Sequence, residues 1–534
     1  MSTKSTRFAV SSAAKDRIQR LKRLFRLSAC VLLSLAFAAC GGGGASGGDT
    51  PPPPPPQTLD DTLREIISTQ GLTGDPSLGR SLPSINDPLP QLGKLLFFSK
   101  SLSGEMDTAC ASCHHPALGG GDGLALPVGT GAVDPDVVGP GRRRPDRLPN
   151  VGRHSQSVFN VGMFDASLFW DSRIESINKD AGMNGAGSGI RTPDTDLDVA
   201  DPLVPVGMTL PAAQARFPVT VPGEMRGNFL PGEDNETVRQ HLAARIGDYG
   251  VGQGELATNS WLAEFQTAFA SAEPAEDLVT FDNIALAIAE YQRSMVFIET
   301  PWKAYVEGDD DAISTQAKEG AVLFFNTPGQ GGMDCARCHS GDFFTDETHR
   351  TVSFPQLGPG KGDGPNGNAD FGREQHTQNN TDRFRFRTPT MLNLRATAPY
   401  THSGVYVSTF MSAGHYALPE DIFSDFLGGG GVCSIVQFAD HPDCDTIFPD
   451  FVELSEEALA KVFSDRSTDP DSTFADLNEN LLPANAPDLM EAFMSALTDP
   501  CTLDRTCVAP WVPEPDEAPD ENQLNAVDAG GNAL

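Results

Sequence analysis

Two short stretches, Cys110-Ala-Ser-Cys113-His114 and Cys335-Ala-Arg-Cys338-His339, share the pattern Cys-x-x-Cys-His. Two thiols about one helical turn apart can add to the two vinyl groups of one haem, and the histidine that follows can bind its iron. A zinc site would need two Cys-x-x-Cys pairs close in sequence, whereas these motifs lie far apart. A thiol redox pair or chance spacing would also produce a Cys-x-x-Cys pattern. The repeated motif predicts two covalently attached c-type haems.

Residues 1–39 have the composition of an export signal. Basic residues between Lys4 and Arg26 precede an apolar run over 27–39 that is too short to span a bilayer. Ala38-Ala39-Cys40-Gly41 resembles a bacterial lipobox, which predicts a lipid anchor on Cys40. Ordinary cleavage near residues 36–38, with Cys40 incidental, is the alternative. We expect a periplasmic protein that is held at the outer membrane only through this anchor.

The segment after Cys40 has four successive glycines from residue 41 and six prolines over 51–56. Glycine makes a chain flexible and a proline run makes a stiff spacer, so the segment is typical of a tether. We predict a lipid-anchored linker over residues 40–75.

Four further cysteines remain once the signal and the haem motifs are set aside. Cys433 lies close to Cys444 in sequence, and Cys501 lies close to Cys507. In an oxidising compartment these two pairs are the simplest disulfides, although four cysteines allow other pairings.

The 534 residues carry a formal net charge of −34, which argues against nucleic acid and anionic lipid as partners. Such a charge would attract a basic redox partner. It is equally well explained as a solvated acidic surface.

Helical periodicity dominates the chain, and few segments alternate as strands do. The helical patterns cover 283–298, with Asp282 as a candidate cap, 314–325 and 487–497, while Gly- and Pro-rich loops cover 117–150, 178–231 and 357–381. We predict a mainly α protein with two cytochrome c-like haem domains, over 76–306 and 307–500, that meet near residues 302–308. An acidic tail over 501–534 is expected to be poorly ordered from Pro510.

Several further motifs occur in one order around the two haem motifs. They are Gly93-Lys-Leu-Leu-Phe97, Phe169-Trp-Asp-Ser-Arg173, Phe217-Pro218, Pro222-Gly-Glu-Met225, Thr280-Phe-Asp-Asn-Ile284, Thr388-Pro-Thr-Met-Leu-Asn393 and Pro399-Tyr-Thr-His-Ser-Gly404. Over residues 92–500 the chain resembles the bacterial dihaem cytochrome c peroxidase and MauG superfamily. The resemblance implies that the His114 haem reacts with hydrogen peroxide. The His339 haem would be six-coordinate and would store or pass electrons.

The second ligand of the His339 haem follows from the same resemblance. It lies fourteen positions after the histidine of the Pro-Tyr-x-His-x-Gly motif, is methionine in peroxidases proper and is tyrosine in MauG-type members. Counting from His402 predicts Tyr416, which is closer to the MauG type and would lower the potential of this haem and favour high-valent iron. The alternative is a structural Tyr416 with Met411 as the ligand.

Three residues match the catalytic positions of the superfamily. Glu224 matches a distal acid that moves a proton between the two oxygens of peroxide, and Pro218 matches a proline of the same pocket. Trp170 matches a tryptophan that relays electrons between the haems. A surface carboxylate at Glu224 and a core indole at Trp170 are the simpler interpretations.

The resemblance also implies calcium, bound by the carbonyls of Thr397 and Pro399 and by an asparagine. His154 stands in place of that asparagine, and calcium prefers oxygen. Two other features depart from the superfamily: the interval between Trp170 and Glu224 is long, and the glutamine expected early in it is not evident, with Asp180 nearest.

Many relatives cap the reactive iron with a distal histidine that precedes the position of Arg153. Residues 139–150 contain none, and His115 and His154 are poorly placed to replace it. We therefore expect an open His114 haem that reacts with peroxide without prior reduction.

Three functions remain open. The first is a peroxidase that takes electrons from a small redox protein, a cytochrome c or a cupredoxin. The second is a MauG-like oxidase that modifies a tryptophan or tyrosine of a partner protein. The third is a dihaem electron carrier, against which the Glu224 carboxyl beside an open haem argues.

Overall fold

The structure is a computed structural model that describes residues 57–408, 424, 426–474, 477 and 481–534. The predicted signal peptide, Cys40, Tyr416 and its alternative Met411 lie outside these residues. The helices of the described part are α1 Leu59–Gln70, α2 Pro88–Phe97, α3 Leu210–Gln214, α4 Asn235–Gly247, α5 Trp261–Phe269, α6 Ala275–Leu278, α7 Phe281–Arg293, α8 Pro301–Val306, α9 Thr315–Phe325, α10 Glu374–Thr377, α11 Phe451–Thr468, α12 Ala486–Ser495 and α13 Arg505–Val508. The mainly α fold with long loops is confirmed. None of these helices is long and apolar enough to cross a bilayer.

Short strands form two small sheets. In one, β1 Ser167–Leu168, β2 Ile174–Ser176 and β3 Ile190–Arg191 pair antiparallel in that order. In the other, β4 His349–Thr351 pairs with β5 Arg385–Arg387, with Arg350 opposite Phe386. The first sheet and α3 enclose a small apolar core from Phe164 to Phe217, most of it in the long interval between Trp170 and Glu224. That interval therefore folds as a lobe of its own.

The three predicted helices are present, with small changes at their ends. The first of them is α7, which ends at Arg293, five residues before the predicted end. The Thr280 hydroxyl, and not Asp282, caps it by accepting a hydrogen bond from the amide of Asn283. Ser314 caps α9 in the same way, and α12 begins one residue before the predicted start. Each helix buries the apolar stripe that predicted it.

Two apolar cores each include residues of one haem motif. The first contains Ala109 and Ala111 together with α2 and α7. The second contains Ala336 together with α9 and α12. This arrangement agrees with two cytochrome c-like halves, here called the first half and the second half after the order of their motifs.

The two ends of the described chain cross between the halves. The helix α1 falls inside the predicted linker of 40–75, yet Leu63 and Ile67 are buried in the second core. The helix α8, placed before the predicted boundary at 306/307, also buries Trp302 and Tyr305 there. Burial of the apolar side chains of these short helices stabilises the folded protein, so the helices pack on the second core. A tether would leave the same side chains in water.

The acidic tail is ordered, which corrects the expectation that it is poorly ordered from Pro510. The Tyr291 hydroxyl donates a hydrogen bond of 2.6 Å to the Trp511 carbonyl. The Leu524 amide donates to the Phe98 carbonyl over 2.8 Å, and Leu524 is buried in the first core. Large apolar side chains interrupt the acidic residues, so the tail can pack although its charge is high.

Both expected disulfides are present. Cys433 is bonded to Cys444 and Cys501 is bonded to Cys507. The simplest of the possible pairings is therefore confirmed.

Candidate functional site

Both Cys-x-x-Cys-His motifs border one cavity. The predicted site residues among the described part of the chain that line it are Cys110, Cys113, His114, Trp170, Pro218, Glu224, Cys335, Cys338, His339, Thr397 and Pro399. The four motif cysteines are unpaired, in contrast to the four in disulfides. Burial raises the pKa of Cys110, Cys113 and Cys335 to about 12 each, so these thiols are neutral. Four free thiols beside one large cavity fit two thioether-bound haems.

Each motif folds as a tight backbone turn, and its two cysteines and its histidine line the cavity. In the first motif, the amides of Cys113 and His114 donate to the Cys110 carbonyl over 3.2 and 3.0 Å. In the second, the amides of Cys338 and His339 donate to the Cys335 carbonyl over 3.2 and 2.9 Å. The same sequence spacing therefore gives the same backbone turn in both motifs.

The two motif histidines are oriented by backbone carbonyls. The Nδ1 atom of His114 lies 3.3 Å from the Gly120 carbonyl oxygen, and that of His339 lies 3.1 Å from the Phe344 carbonyl oxygen. Burial lowers the pKa of both imidazoles, which favours their neutral form. With Nδ1 occupied as a donor, Nε2 is the free ligand atom, as is usual for a metal-binding histidine.

Glu224 lies on a single wide helical turn, Pro222–Arg226. Close backbone contacts fix this turn, because a Cβ atom on Gly223 would lie 2.3 Å from the Asn150 carbonyl oxygen. The Glu224 side chain is 18% exposed, and its Oε1 atom lies 3.8 Å from Nη2 of Arg173. Glycine at position 223 therefore lets the carboxylate sit at the cavity wall.

Arg173 connects this carboxylate to a buried acid. Its guanidinium lies 3.8 Å above the Phe169 ring and 3.6 Å from the Asp171 carboxylate. Asp171 is fully buried and accepts hydrogen bonds from Arg153 and from Nε2 of His376. Burial alone would raise the pKa of Asp171, but the charges of Arg153 and Arg173 and the His376 imidazole outweigh burial and hold it well below its usual value. Asp171 therefore stays ionised and orients Arg173.

Trp170 is half-buried at the cavity wall. Its indole N–H donates to the His154 carbonyl over 3.0 Å, and its own carbonyl accepts from the Arg387 amide over 2.7 Å. These two bonds hold the indole against the cavity. Pro218 begins the turn Pro218–Thr220 at the same wall.

The calcium ligands predicted by the resemblance are incomplete. Thr397 and Pro399 border the cavity, but the third position presents the His154 imidazole, whose Nδ1 lies 2.9 Å from the Leu124 carbonyl oxygen. Imidazole nitrogen is a poor ligand for calcium, so the residues present do not fit the ion.

Gln214 and Lys361 border the cavity and were not predicted from the sequence. Gln214, and not Asp180, borders the cavity together with Pro218 and Glu224, while Asp180 lies against Gly187 in the small lobe. Most of the small lobe lies between Trp170 and Gln214 in sequence, so Gln214 is far from Trp170 along the chain. The closeness of Gln214 to Pro218 in sequence is the one signal that could have identified it as a cavity residue. Lys361 also borders the cavity, from a glycine-rich loop that showed no motif.

A family model described as "Di-haem cytochrome c peroxidase" matches residues 88–311. The chain is 29% identical over 339 residues to methylamine utilization protein MauG of Methylorubrum extorquens, which covers 62% of this chain and 70% of that protein. It is 27% identical over 321 residues to cytochrome c551 peroxidase of Pseudomonas aeruginosa, with 60% and 69% covered. The dihaem peroxidase BthA of Burkholderia thailandensis aligns over 84% of this chain and 92% of its own, with a TM-score of 0.49 and 18% identity.

These relatives include both a peroxidase and a MauG protein, which supports an oxidoreductase with haem c as its cofactor. The family model covers the first Cys-x-x-Cys-His motif, and the ordered motifs continue the resemblance past the second. Together they confirm that the chain is related to the bacterial dihaem cytochrome c peroxidase and MauG superfamily.

Proposed function

We propose that this protein is a dihaem c-type peroxidase that reduces hydrogen peroxide with electrons from a small redox protein. One observation carries the proposal: both haem motifs, Trp170 and Glu224 border the same cavity. An electron carrier needs no carboxylate in such a place. We also propose that the protein is exported and anchored through Cys40.

In this proposal Cys110 and Cys113 bind one haem and Cys335 and Cys338 bind the other, with His114 and His339 as iron ligands. The haems supply peroxide binding and electron storage. The Gly120 and Phe344 carbonyls keep each histidine ring in place, since they accept from Nδ1. Tyr416 is proposed as the second ligand at the His339 side.

Glu224 is proposed to hold and move a proton at its carboxylate when peroxide occupies the cavity. A carboxylate can accept the proton at Oε1 or Oε2 and return it without leaving its place. Arg173 lies 3.8 Å from Oε1 and holds this carboxylate at the wall. Pro218 lines the same cavity and offers no backbone N–H there.

Trp170 is proposed to pass electrons between the two halves. Its indole N–H bond to the His154 carbonyl fixes the ring, and its carbonyl is held by Arg387 of the second half. A fixed aromatic ring on the shared wall is what such a path requires.

Steady-state turnover tests the proposal. The holoprotein is mixed with peroxide and reduced cytochrome c, and oxidation of the cytochrome is followed. We expect catalytic oxidation, and we expect the fully oxidised protein to react with stoichiometric peroxide at once. A resting spectrum with both haems low-spin, and no reaction before one electron is added, would contradict the open site.

A MauG-like oxidase is the second candidate, because the methylamine utilization protein MauG is among the relatives at 29% identity. In that case the substrate is a tryptophan or tyrosine of another protein. Co-expression with neighbouring exported proteins, followed by mass spectrometry, would show a peroxide-dependent mass change, and cytochrome c oxidation would be slow.

A further inference from the structure

Lys361 is a cavity residue that the proposed mechanism does not use. It lies in the loop over residues 357–372 of the second half, yet it borders the cavity with Glu224, Arg173 and Trp170 of the first half. Its amide donates to the Ala369 carbonyl over 2.8 Å, and its carbonyl accepts from the Gln375 side chain over 2.7 Å. The backbone of this lysine is therefore held from both sides.

A close contact seats the loop on the first half. A Cβ atom on Gly152 would lie 2.0 Å from the Gly360 carbonyl oxygen and 3.3 Å from Cδ of Lys361. Only glycine at position 152 allows this approach. The stem of Lys361 thus lies against the backbone next to Arg153, and its ammonium extends along the cavity wall.

The two arginines whose charges act on Lys361, Arg153 and Arg173, already have partners. Arg153 donates to Asp370 over 2.6 and 2.7 Å and also to Asp171. Arg173 lies between Asp171, at 3.6 Å, and Glu224, at 3.8 Å. These two arginines are balanced by carboxylates, so neither is free to bind a further anion.

Lys361 differs from both arginines. Among the residues that the structure describes, none forms a hydrogen bond or an ion pair with its ammonium. Burial, then repulsion by Arg173 and Arg153, lowers the pKa of Lys361 to about 8, although Glu224 and Asp171 act in the opposite direction. At neutral pH the ammonium is charged, desolvated by burial, and makes no direct ion pair with a residue that the structure describes.

We propose that Lys361 is an anion-binding residue of the pocket beside Glu224, and that its ligand is a small anion such as hydroperoxide or azide. This inference rests on the proposed function, because it needs an open iron site at the Glu224 end of the cavity. Glu224 alone would repel an anion. The Lys361 charge offsets that repulsion and stabilises the anion by a charge-assisted hydrogen bond.

Binding of sodium azide to the oxidised holoprotein tests the inference, with the optical spectrum and calorimetry as readouts. Lys361→Met should weaken azide binding by about tenfold to a hundredfold, the range expected for one hydrogen bond to a charged group. Lys361→Arg keeps the charge and should bind azide within a few-fold of wild type. Carbon monoxide, which is neutral, should bind the reduced proteins equally well.

The pH dependence separates a charge effect from a packing effect. Azide affinity of the wild type should fall as the pH rises from 7 to 9, because Lys361 loses its proton near pH 8. Lys361→Arg should lose less affinity over the same range, since arginine stays charged. The groups that share this environment, Arg153, Arg173, Asp171 and Glu224, are unchanged in the comparison.

Lys303→Met is the matched control, because it removes one lysine charge that pairs with Glu299 away from the cavity. Azide affinity in that variant should equal that of wild type. If Lys361→Met also binds azide within twofold of wild type, the inference is wrong and the peroxidase proposal stands. If the wild type binds no azide because both irons are capped, the open site itself is wrong and the inference falls with it.

Discussion

The two halves of the molecule build the same local structure around different chemistry. In the first half, α2 crosses α7 where a Cβ atom on Gly93 would lie 1.9 Å from the Ala287 carbonyl oxygen. In the second half, α9 crosses α12 where a Cβ atom on Gly320 would lie 2.0 Å from the Leu489 carbonyl oxygen. Each crossing belongs to the same apolar core as one haem motif, and that motif lies between the two helices in sequence.

The cavity walls of the halves are unlike. The first half presents the charged groups Glu224 and Arg173, joined by Lys361 from the second half. The second half also presents charged groups, among them Asp334 and Arg387, and adds the thioether side chains of its own core, Met391, Met490 and Met494. In the proposed function the shared motif attaches a haem in both places, with proton transfer at Glu224 in the first half and electron storage in the second.

Removing the Glu224 carboxylate should give the largest effect on this contrast. Glu224→Gln is expected to lower peroxide turnover by roughly 10²–10⁴-fold, the usual contribution of a general acid or base, with both haems still attached. Steady-state kinetics and the haem content measure the two effects separately. Glu233→Gln, an exposed carboxylate, is the control, and turnover of Glu224→Gln within twofold of wild type would refute the proton-transfer role.

The N-terminal helix α1 packs in the second core and the C-terminal tail packs in the first core, so each end of the described chain is predicted to stabilise the opposite half. Leu63→Ala should loosen the second half, and Leu524→Ala should loosen the first, each by about 2–5 kcal/mol, because both side chains are fully buried. Hydrogen exchange would report faster opening of α9 in the first variant and of α7 in the second. Leu503→Ala is the control, since Leu503 is 49% exposed. Equal loosening of both helices by either variant would show that the halves unfold as one unit.

The two helix crossings should respond alike to a methyl group. Gly93→Ala and Gly320→Ala each place a Cβ about 2 Å from a carbonyl oxygen, so each should cost about 1–3 kcal/mol by overpacking. Thermal or denaturant unfolding of the holoprotein measures this. Gly428→Ala, which has no heavy atom within 4 Å, should be close to neutral. A neutral Gly320→Ala with a destabilising Gly93→Ala would break the equivalence of the halves.

Substitution of Tyr416, the proposed second ligand of the His339 haem, tests the chemical difference between the halves and should change stability least of these variants. Tyr416→Phe is expected to alter the spectrum and coordination of one haem only. Tyr249→Phe, in the first half, should leave both spectra unchanged. A methionine–iron charge-transfer band in the wild type would instead favour the alternative, Met411.

Local sequence was a good guide wherever the causes are local. The Cys-x-x-Cys-His spacing predicted the two tight turns, the apolar stripes predicted α7, α9 and α12, and the closeness of the cysteines predicted both disulfides. The resemblance carried by the ordered motifs predicted site roles for Glu224 and Trp170, and both residues border the cavity. In each of these cases the interacting residues are near neighbours or belong to a short motif.

Tertiary structure decided the features whose partners are distant in sequence. The charge of the tail predicted disorder, but Trp511 and Leu524 pack in the first core. The sequence of α1 was assigned to a tether, but Leu63 is buried in the second core. Gln214 and Lys361 reach the cavity only because an inserted lobe and a glycine-rich loop fold back on the first half. The physical reason is the same throughout. Burial and charge balance depend on which surfaces come into contact, and the sequence gives the residues of each surface but not the contacts between surfaces.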